Sequence, residues 1–183
     1  MQIFDRRAFH VAAGSAAAVL GSAVGRARSE PASPEAAASL GISSSNAAIH
    51  QEVVFKSSAD RLYLALTDPS IFEKVVVLSG AVKSMSLASA PAQIDARPGG
   101  AFSLFGGYIT GRQIELSPGV RIIQAWRSQS WPPHIFSIAR FEFAGAPEGV
   151  KLIFDQTGFP NEDAVSLATG WRDHYWAPLA KVL

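Results

Sequence analysis

The stretch from Ala101 to Phe159 constrains this chain most. It holds five runs rich in β-forming residues: Ala101 to Phe105, Tyr108 to Leu116, Arg121 to Ser128, Phe136 to Phe143 and Val150 to Phe159. Gly106-Gly107, Ser117-Pro118-Gly119, Pro132-Pro133 and the segment from Gly145 to Gly149 separate them. Such short, turn-forming punctuation joins neighbouring strands as hairpins, so the spacing predicts an antiparallel meander. A further run, Gln93 to Ala96, precedes Pro98-Gly99-Gly100 and reads as one more strand.

A sheet with one apolar face needs a cover. The only long helix available follows Asn161, where Leu167, Trp171, Tyr175, Leu179 and Val182 form a single apolar stripe. Asn161 is placed to cap it, Glu162 and Asp163 favour its positive end, and Gly170 marks an expected kink. Ahead of the meander, Ile49 to Phe55 reads as a first strand. Ser57 and Ser58 then offer an N-cap, with Asp60 in the first turn of a short helix that ends before Pro69. The capping-box pattern Ser70-Ile71-Phe72-Glu73 starts a second one. The expected fold class is α+β: a curved antiparallel sheet wrapped around a long C-terminal helix, the helix-grip arrangement, with room for a cavity between them.

Composition removes several classes of function. With 48% apolar, 17% charged and 10% aromatic residues among 183, the bulk of the chain is not disordered. The absence of Cys excludes a disulfide scaffold, thiol catalysis and cysteine-ligated zinc or iron–sulfur sites. Neither Gly-rich dipeptide opens a helix, and no phosphate-loop or dinucleotide fingerprint occurs, so no cofactor is expected. The net charge of +1 gives no electrostatic case for nucleic acid.

That charge is unevenly distributed. The first 29 residues hold Arg6, Arg7, Arg26 and Arg28 against one acid, Asp5; the remainder carries 12 basic and 14 acidic residues. Asp5-Arg6-Arg7-Ala8-Phe9-His10, followed by an Ala/Gly-heavy apolar run from Val11 to Val24, resembles a twin-arginine export signal, although His10 stands where an apolar residue is usual. The run has too few large apolar residues for a stable membrane anchor. Residues 1–29 are therefore expected to be a signal that engages the twin-arginine translocation machinery through Arg6 and Arg7. Cleavage near Ser29 would leave the product exported, in the periplasm. Residues 30–46, rich in Ala, Ser and Pro, read as a flexible linker. Residues 47–183 remain for one domain, long enough to bury a real core.

Within that domain a family resemblance emerges. Pro98-Gly99-Gly100-Ala101-Phe102, Gly107-Tyr108-Ile109-Thr110-Gly111, Leu116-Ser117-Pro118-Gly119-Val120-Arg121-Ile122, Gln124-Ala125-Trp126-Arg127 with Trp131-Pro132, and Gly170-Trp171 with Tyr175-Trp176 and Leu179 follow one another in order. Together they resemble the C-terminal domain of the activator of Hsp 90 ATPase homologue family, within the START-like (SRPBCC) superfamily. The resemblance implies a helix-grip fold over Ile49 to Leu183. The stretch from Phe72 to Leu78 lacks the Trp that many relatives carry near the end of the second helix.

Apart from His10 in the leader, the histidines, His50, His134 and His174, are far apart and fit surface or hydrogen-bonded roles better than metal or catalytic ones. No metal site is expected, and no catalytic residue is assigned. The aromatic residues gather in the sheet and last helix. Most suit core packing, yet a domain so rich in rings can keep an apolar pocket, with Tyr108, Trp126, Arg140, Trp171 and Tyr175 expected to line it. Arg112, Arg121, Arg127 and Arg140 also fit a solvated outer sheet face with Glu115, Glu142 and Asp155 as partners. The leading functional expectation is a non-catalytic domain binding a small hydrophobic ligand. The alternatives are a co-chaperone-like interaction module, or a cyclase- or hydrolase-type enzyme with His134 or Tyr108 at the cavity mouth.

Overall fold

The computed structural model describes residues 48–183; the segments expected to be an export signal, with Arg6 and Arg7, and a linker lie outside the described residues. Strand β1 (Ala48–Phe55) is followed by α1 (Ala59–Thr67), α2 (Pro69–Ser79) and the one-turn α3 (Ala81–Ser84). Then come β2 (Gln93–Ile94), β3 (Ala101–Leu104), a 3-10 turn (Phe105–Gly107), β4 (Ile109–Ser117), β5 (Arg121–Ser128), β6 (Ser137–Ala146) and β7 (Gly149–Thr157). A second 3-10 turn (Asn161–Asp163) leads into the C-terminal helix, built from α4 (Ala164–Gly170), a π segment (Trp171–Trp176) and α5 (Ala177–Val182).

The meander forms as its punctuation predicts. The described strands make one seven-stranded sheet in the order β1-β7-β6-β5-β4-β3-β2, every pairing antiparallel. β1 joins the last strand, with Ala48 opposite Thr157 and Phe55 opposite Val150. Alternation then sends Ile49 and Phe55, Ile122 and Trp126, Ala139 and Phe141, and Leu152 and Phe154 to the inner face, where all are buried. A bulge between Gln113 and Glu115 turns Ile114 outward and sets Leu116 opposite buried Ile122. β2 ends at Ile94, short of Ala96; the Asp95 N–H still donates to Ala101 O at 2.9 Å, and its carboxylate accepts from Arg97 Nε and Nη2, both at 2.8 Å, ahead of the turn to β3.

The short helices differ from expectation at one start. Ser58 Oγ caps α1 by accepting from the Arg61 N–H at 3.2 Å, as its position predicts. The second helix begins at Pro69, and its cap is Asp68, which accepts from Ser70 N at 2.8 Å and Ile71 N at 3.1 Å. Proline suits the first helical position, so the cap falls on the residue before it. Glu73 makes no capping box; its Oε2 accepts the N–H of Ala92 at 2.7 Å and ties the loop after α3 to α2.

The C-terminal helix also departs from a simple stripe. Asn161 lies in the 3-10 turn and does not cap, and Asp163 spends its carboxylate on the Trp131 indole at 2.5 Å. Gly170 is regular helix (φ −59°, ψ −41°); the irregularity is the π segment that follows it. There the Ala177 N–H reaches back to Arg172 O, five residues away. Pro178, which has no N–H and crowds the carbonyl four residues back, sits one residue further on. The wider turn brings residues five apart into line, so Trp171 and Trp176 stack, with centroids 5.3 Å apart and planes 18° apart. Trp171, Tyr175, Trp176 and Leu179 are all buried, giving the helix a broader inner face than a four-residue repeat supplies.

Candidate functional site

Two glutamines hold the helix against the sheet. Gln156 on β7 accepts the Trp171 indole N–H at 2.5 Å and donates to Ser137 Oγ at 2.8 Å; Ser137 donates to Trp126 O at 3.1 Å. Gln51 on β1 accepts the Trp176 indole at 2.6 Å and donates to Ala168 O at 2.9 Å. Over the β6–β7 half of the sheet the space beneath the helix is filled by rings. Phe154 lies 4.4 Å from Trp171 and 5.2 Å from Trp176, and Phe141 lies 5.7 Å from Trp171.

The β4–β5 half is different. Three of the four indole N–H groups have partners, those of Trp131, Trp171 and Trp176. The fourth, Trp126 Nε1, is buried with no hydrogen-bond partner among the described residues, and so are the Tyr175 hydroxyl and Gln113 Nε2. Trp126 and Tyr175 flank the same ring, at 5.5 Å and 4.2 Å from Trp171. Burial pushes the Tyr175 phenol well above its ordinary value, and the nearby Trp126 N–H partly offsets that rise without completing a hydrogen bond. Tyr175 is thus a neutral hydroxyl at physiological pH. Gln113 lies diagonally across from Trp126 on the inner face, since Gly111 is the direct partner of Trp126, and its Oε1 accepts from Gln124 Nε2 at 3.2 Å. A Cβ at Gly111 would fall 2.3 Å from the Phe102 ring, so glycine is required beside this site. Phe105, held at φ +51°, closes the far side with its ring 5.3 Å from Tyr175 and 5.9 Å from Phe72.

Of the five residues expected to line a pocket, Trp126, Trp171 and Tyr175 come together here. Tyr108 is half-buried in the turn just before β4, packed against the core. Arg140 does not reach the interior. Its position in β6 points to the outer face, where it is exposed and pairs with Glu142. The outer-face reading of the arginines describes it instead: Arg121 bridges Glu115 at 2.7 Å and Glu142 at 3.6 Å, while Asp155 pairs with His50 at 2.7 Å. His134 is exposed in the β5–β6 connection, and among the described residues no cluster of His, Asp or Glu can hold a metal ion. No helix among the described residues is long and apolar enough to cross a membrane.

The sequence reading missed the inward glutamines Gln51, Gln113, Gln124 and Gln156. Their signal was phase: Gln124 stands between Ile122 and Trp126, and Gln156 two residues after Phe154, both in register with core positions.

A curved antiparallel sheet gripping one C-terminal helix, with polar atoms enclosed between them, defines a START-like helix-grip domain. Solved structures share it. The HSP90 activator PFC0360w from Plasmodium falciparum superposes with a TM-score of 0.59 at 24% identity, covering 74% of this chain and 93% of that one. The Mll3558 protein from Rhizobium loti gives 0.57 at 20%, covering 75% and 96%. The chain belongs to the family described as activator of Hsp90 ATPase homolog 1-like protein, whose model matches residues 56–183. Among curated relatives, it is 29% identical over 134 residues to "Uncharacterized protein C1711.08" of Schizosaccharomyces pombe, covering 73% of this chain and 36% of that protein. It is 26% identical over 144 residues to the mouse "Activator of 90 kDa heat shock protein ATPase homolog 2", covering 79% of this chain and 40% of that protein. The aligned region is thus well under half the length of these relatives.

Proposed function

We propose that this domain binds a small, mainly apolar ligand between the β4–β5 half of its sheet and the C-terminal helix, and that it acts without catalysis. The observation that carries this reading is that, of the five buried side-chain polar atoms without a hydrogen-bond partner among the described residues, three, Trp126 Nε1, Tyr175 OH and Gln113 Nε2, lie on this half of the interior among aromatic rings. Buried polar groups are normally hydrogen-bonded, and a set left unpaired in one place is the signature of a group supplied from outside. We also propose that the Arg6-Arg7 segment directs export to the periplasm by the twin-arginine route. Native mass spectrometry of the protein purified from the envelope fraction of its own cells tests both. The expected result is a chain shortened near Ser29 and carrying a small-molecule adduct. An adduct-free chain that takes up no apolar probe overturns the ligand reading, and an unprocessed cytoplasmic chain overturns export.

The second reading is a co-chaperone-like module. It draws on relatives named as activators of a heat-shock ATPase and on three exposed large apolar side chains, Val77 and Leu78 at the end of α2 and Met85 just after α3. Stimulation of an Hsp90-type ATPase by the purified domain, lost in Val77→Asp, is its test. Export weakens this reading, because such a partner needs ATP in its compartment.

A further inference from the structure

We propose that Trp126 and Tyr175 form a two-donor clamp for the carbonyl oxygen of a neutral ligand, such as a ketone, ester or amide. This rests on the ligand-binding reading above and specifies the chemistry of its polar end.

The argument starts from what each orphaned atom can do. An indole N–H only donates. The rings of Trp126 and Tyr175 lie against the same Trp171 ring, at 5.5 Å and 4.2 Å, and Tyr175 keeps its own proton because burial disfavours the phenolate. Gln113 Nε2 brings further N–H donors on the neighbouring strand. The site therefore holds donors in excess and asks for an acceptor. A carboxylate is disfavoured, because none of the strand arginines turns toward it. Four strand arginines turn their guanidinium groups elsewhere: Arg112 to Gly99 O at 2.9 Å, Arg127 to Trp131 O at 2.6 Å, Arg121 to Glu115 at 2.7 Å, and Arg140 to Glu142. An anion brought among these rings would lose its hydration without a counter-charge. A carbonyl oxygen accepts two hydrogen bonds and carries no net charge. The rings of Phe72, Phe105 and Trp171 pack around Tyr175, so the surroundings of the polar pair are apolar.

The test uses three matched probes titrated into the full chain by calorimetry: acetophenone, ethylbenzene (the same shape with CH2 in place of C=O) and benzoate. Acetophenone is expected to bind about tenfold more tightly than ethylbenzene, the worth of one to two net hydrogen bonds, and benzoate more weakly than acetophenone. In Tyr175→Phe, and separately in Trp126→Phe, the ratio of the first two dissociation constants is expected to fall toward one, with far-UV circular dichroism confirming the fold. Equal binding of acetophenone and ethylbenzene overturns the clamp and leaves the ligand-binding reading standing. A ratio that survives both substitutions also overturns the clamp. If no probe binds, the ligand-binding reading falls and the clamp falls with it.

Discussion

Trp171 donates its indole N–H to Gln156 Oε1 at 2.5 Å, and both side chains are almost completely buried. This bond joins the C-terminal helix to β7, and through Ser137 it reaches the backbone of Trp126 on β5. Gln156→Leu removes the acceptor and leaves the Trp171 N–H unpaired in the core. A loss of about 2–3 kcal/mol in unfolding free energy is expected from urea denaturation. Adding Trp171→Phe to Gln156→Leu is expected to cost less than the sum of the two single changes, because they share one interaction.

Tyr175 predicts the opposite sign. Its hydroxyl has no hydrogen-bond partner among the described residues, so Tyr175→Phe discards a desolvated group and loses no bond. Stability at neutral pH is expected to rise by up to about 1 kcal/mol, measured by the same urea transition. A clear loss of stability would show that the hydroxyl is bonded in solution.

The same residue sets an alkaline limit. Its folded pKa lies above the ordinary 10.0, so the unfolded chain releases the phenol proton first. The stabilising contribution is complete below pH 10 and declines as pH rises above it. The slope approaches about 1.4 kcal/mol per pH unit for one proton, provided the fold persists. Half-buried Tyr63 is shifted in the same direction by desolvation and adds a smaller share. Tyr175→Phe is expected to flatten most of this decline in denaturation curves taken between neutral and strongly alkaline pH.

Gly106 is fixed by two constraints at once. Its φ is +66°, and an added Cβ would fall 1.7 Å from the carbonyl oxygen of Ala88. Gly106→Ala is expected to destabilise by about 3 kcal/mol, from backbone strain and displacement of the loop at Ala88. Faster amide exchange in residues 85–92 than in the sheet would locate the damage there.

Arg140 separates the outer face from the interior. Its side chain remains 44% exposed beside Glu142, in a network shared with Arg121. Arg140→Ala is expected to change stability by less than about 1 kcal/mol. Acetophenone affinity is expected to stay at the wild-type value in this variant, whereas a guanidinium lining the ligand site would lower it several-fold.

What was legible in the sequence is what local pattern encodes. The Gly and Pro punctuation from Gly99 to Gly149 separated the strands, and β5 ran from Arg121 to Ser128 as expected. The apolar stripe through Trp171, Tyr175 and Leu179 marked the buried face of the last helix. Period and turn chemistry are properties of adjacent residues, so they can be read without knowing what lies across the core. The family resemblance, carried by the order of those same motifs, agreed with the fold.

Other features depended on partners far away in the chain. Gly170 was the residue expected to kink the last helix, but the irregularity is the π segment after it, and the stacking of Trp171 on Trp176 arises only once both rings are pressed against Phe154. Arg140 and Gln156 are both polar residues on β-strands; strand phase against a closed sheet sends one to solvent and the other into the core. Which indoles find a partner is set by contacts such as the one joining Gln51 to Trp176, 125 residues apart. Composition and alternation determined that this chain makes a curved sheet gripped on a helix. Only the tertiary packing decided that Trp126 and Tyr175 are among the buried polar groups left without a partner, because a hydrogen bond is settled by the position of both its ends.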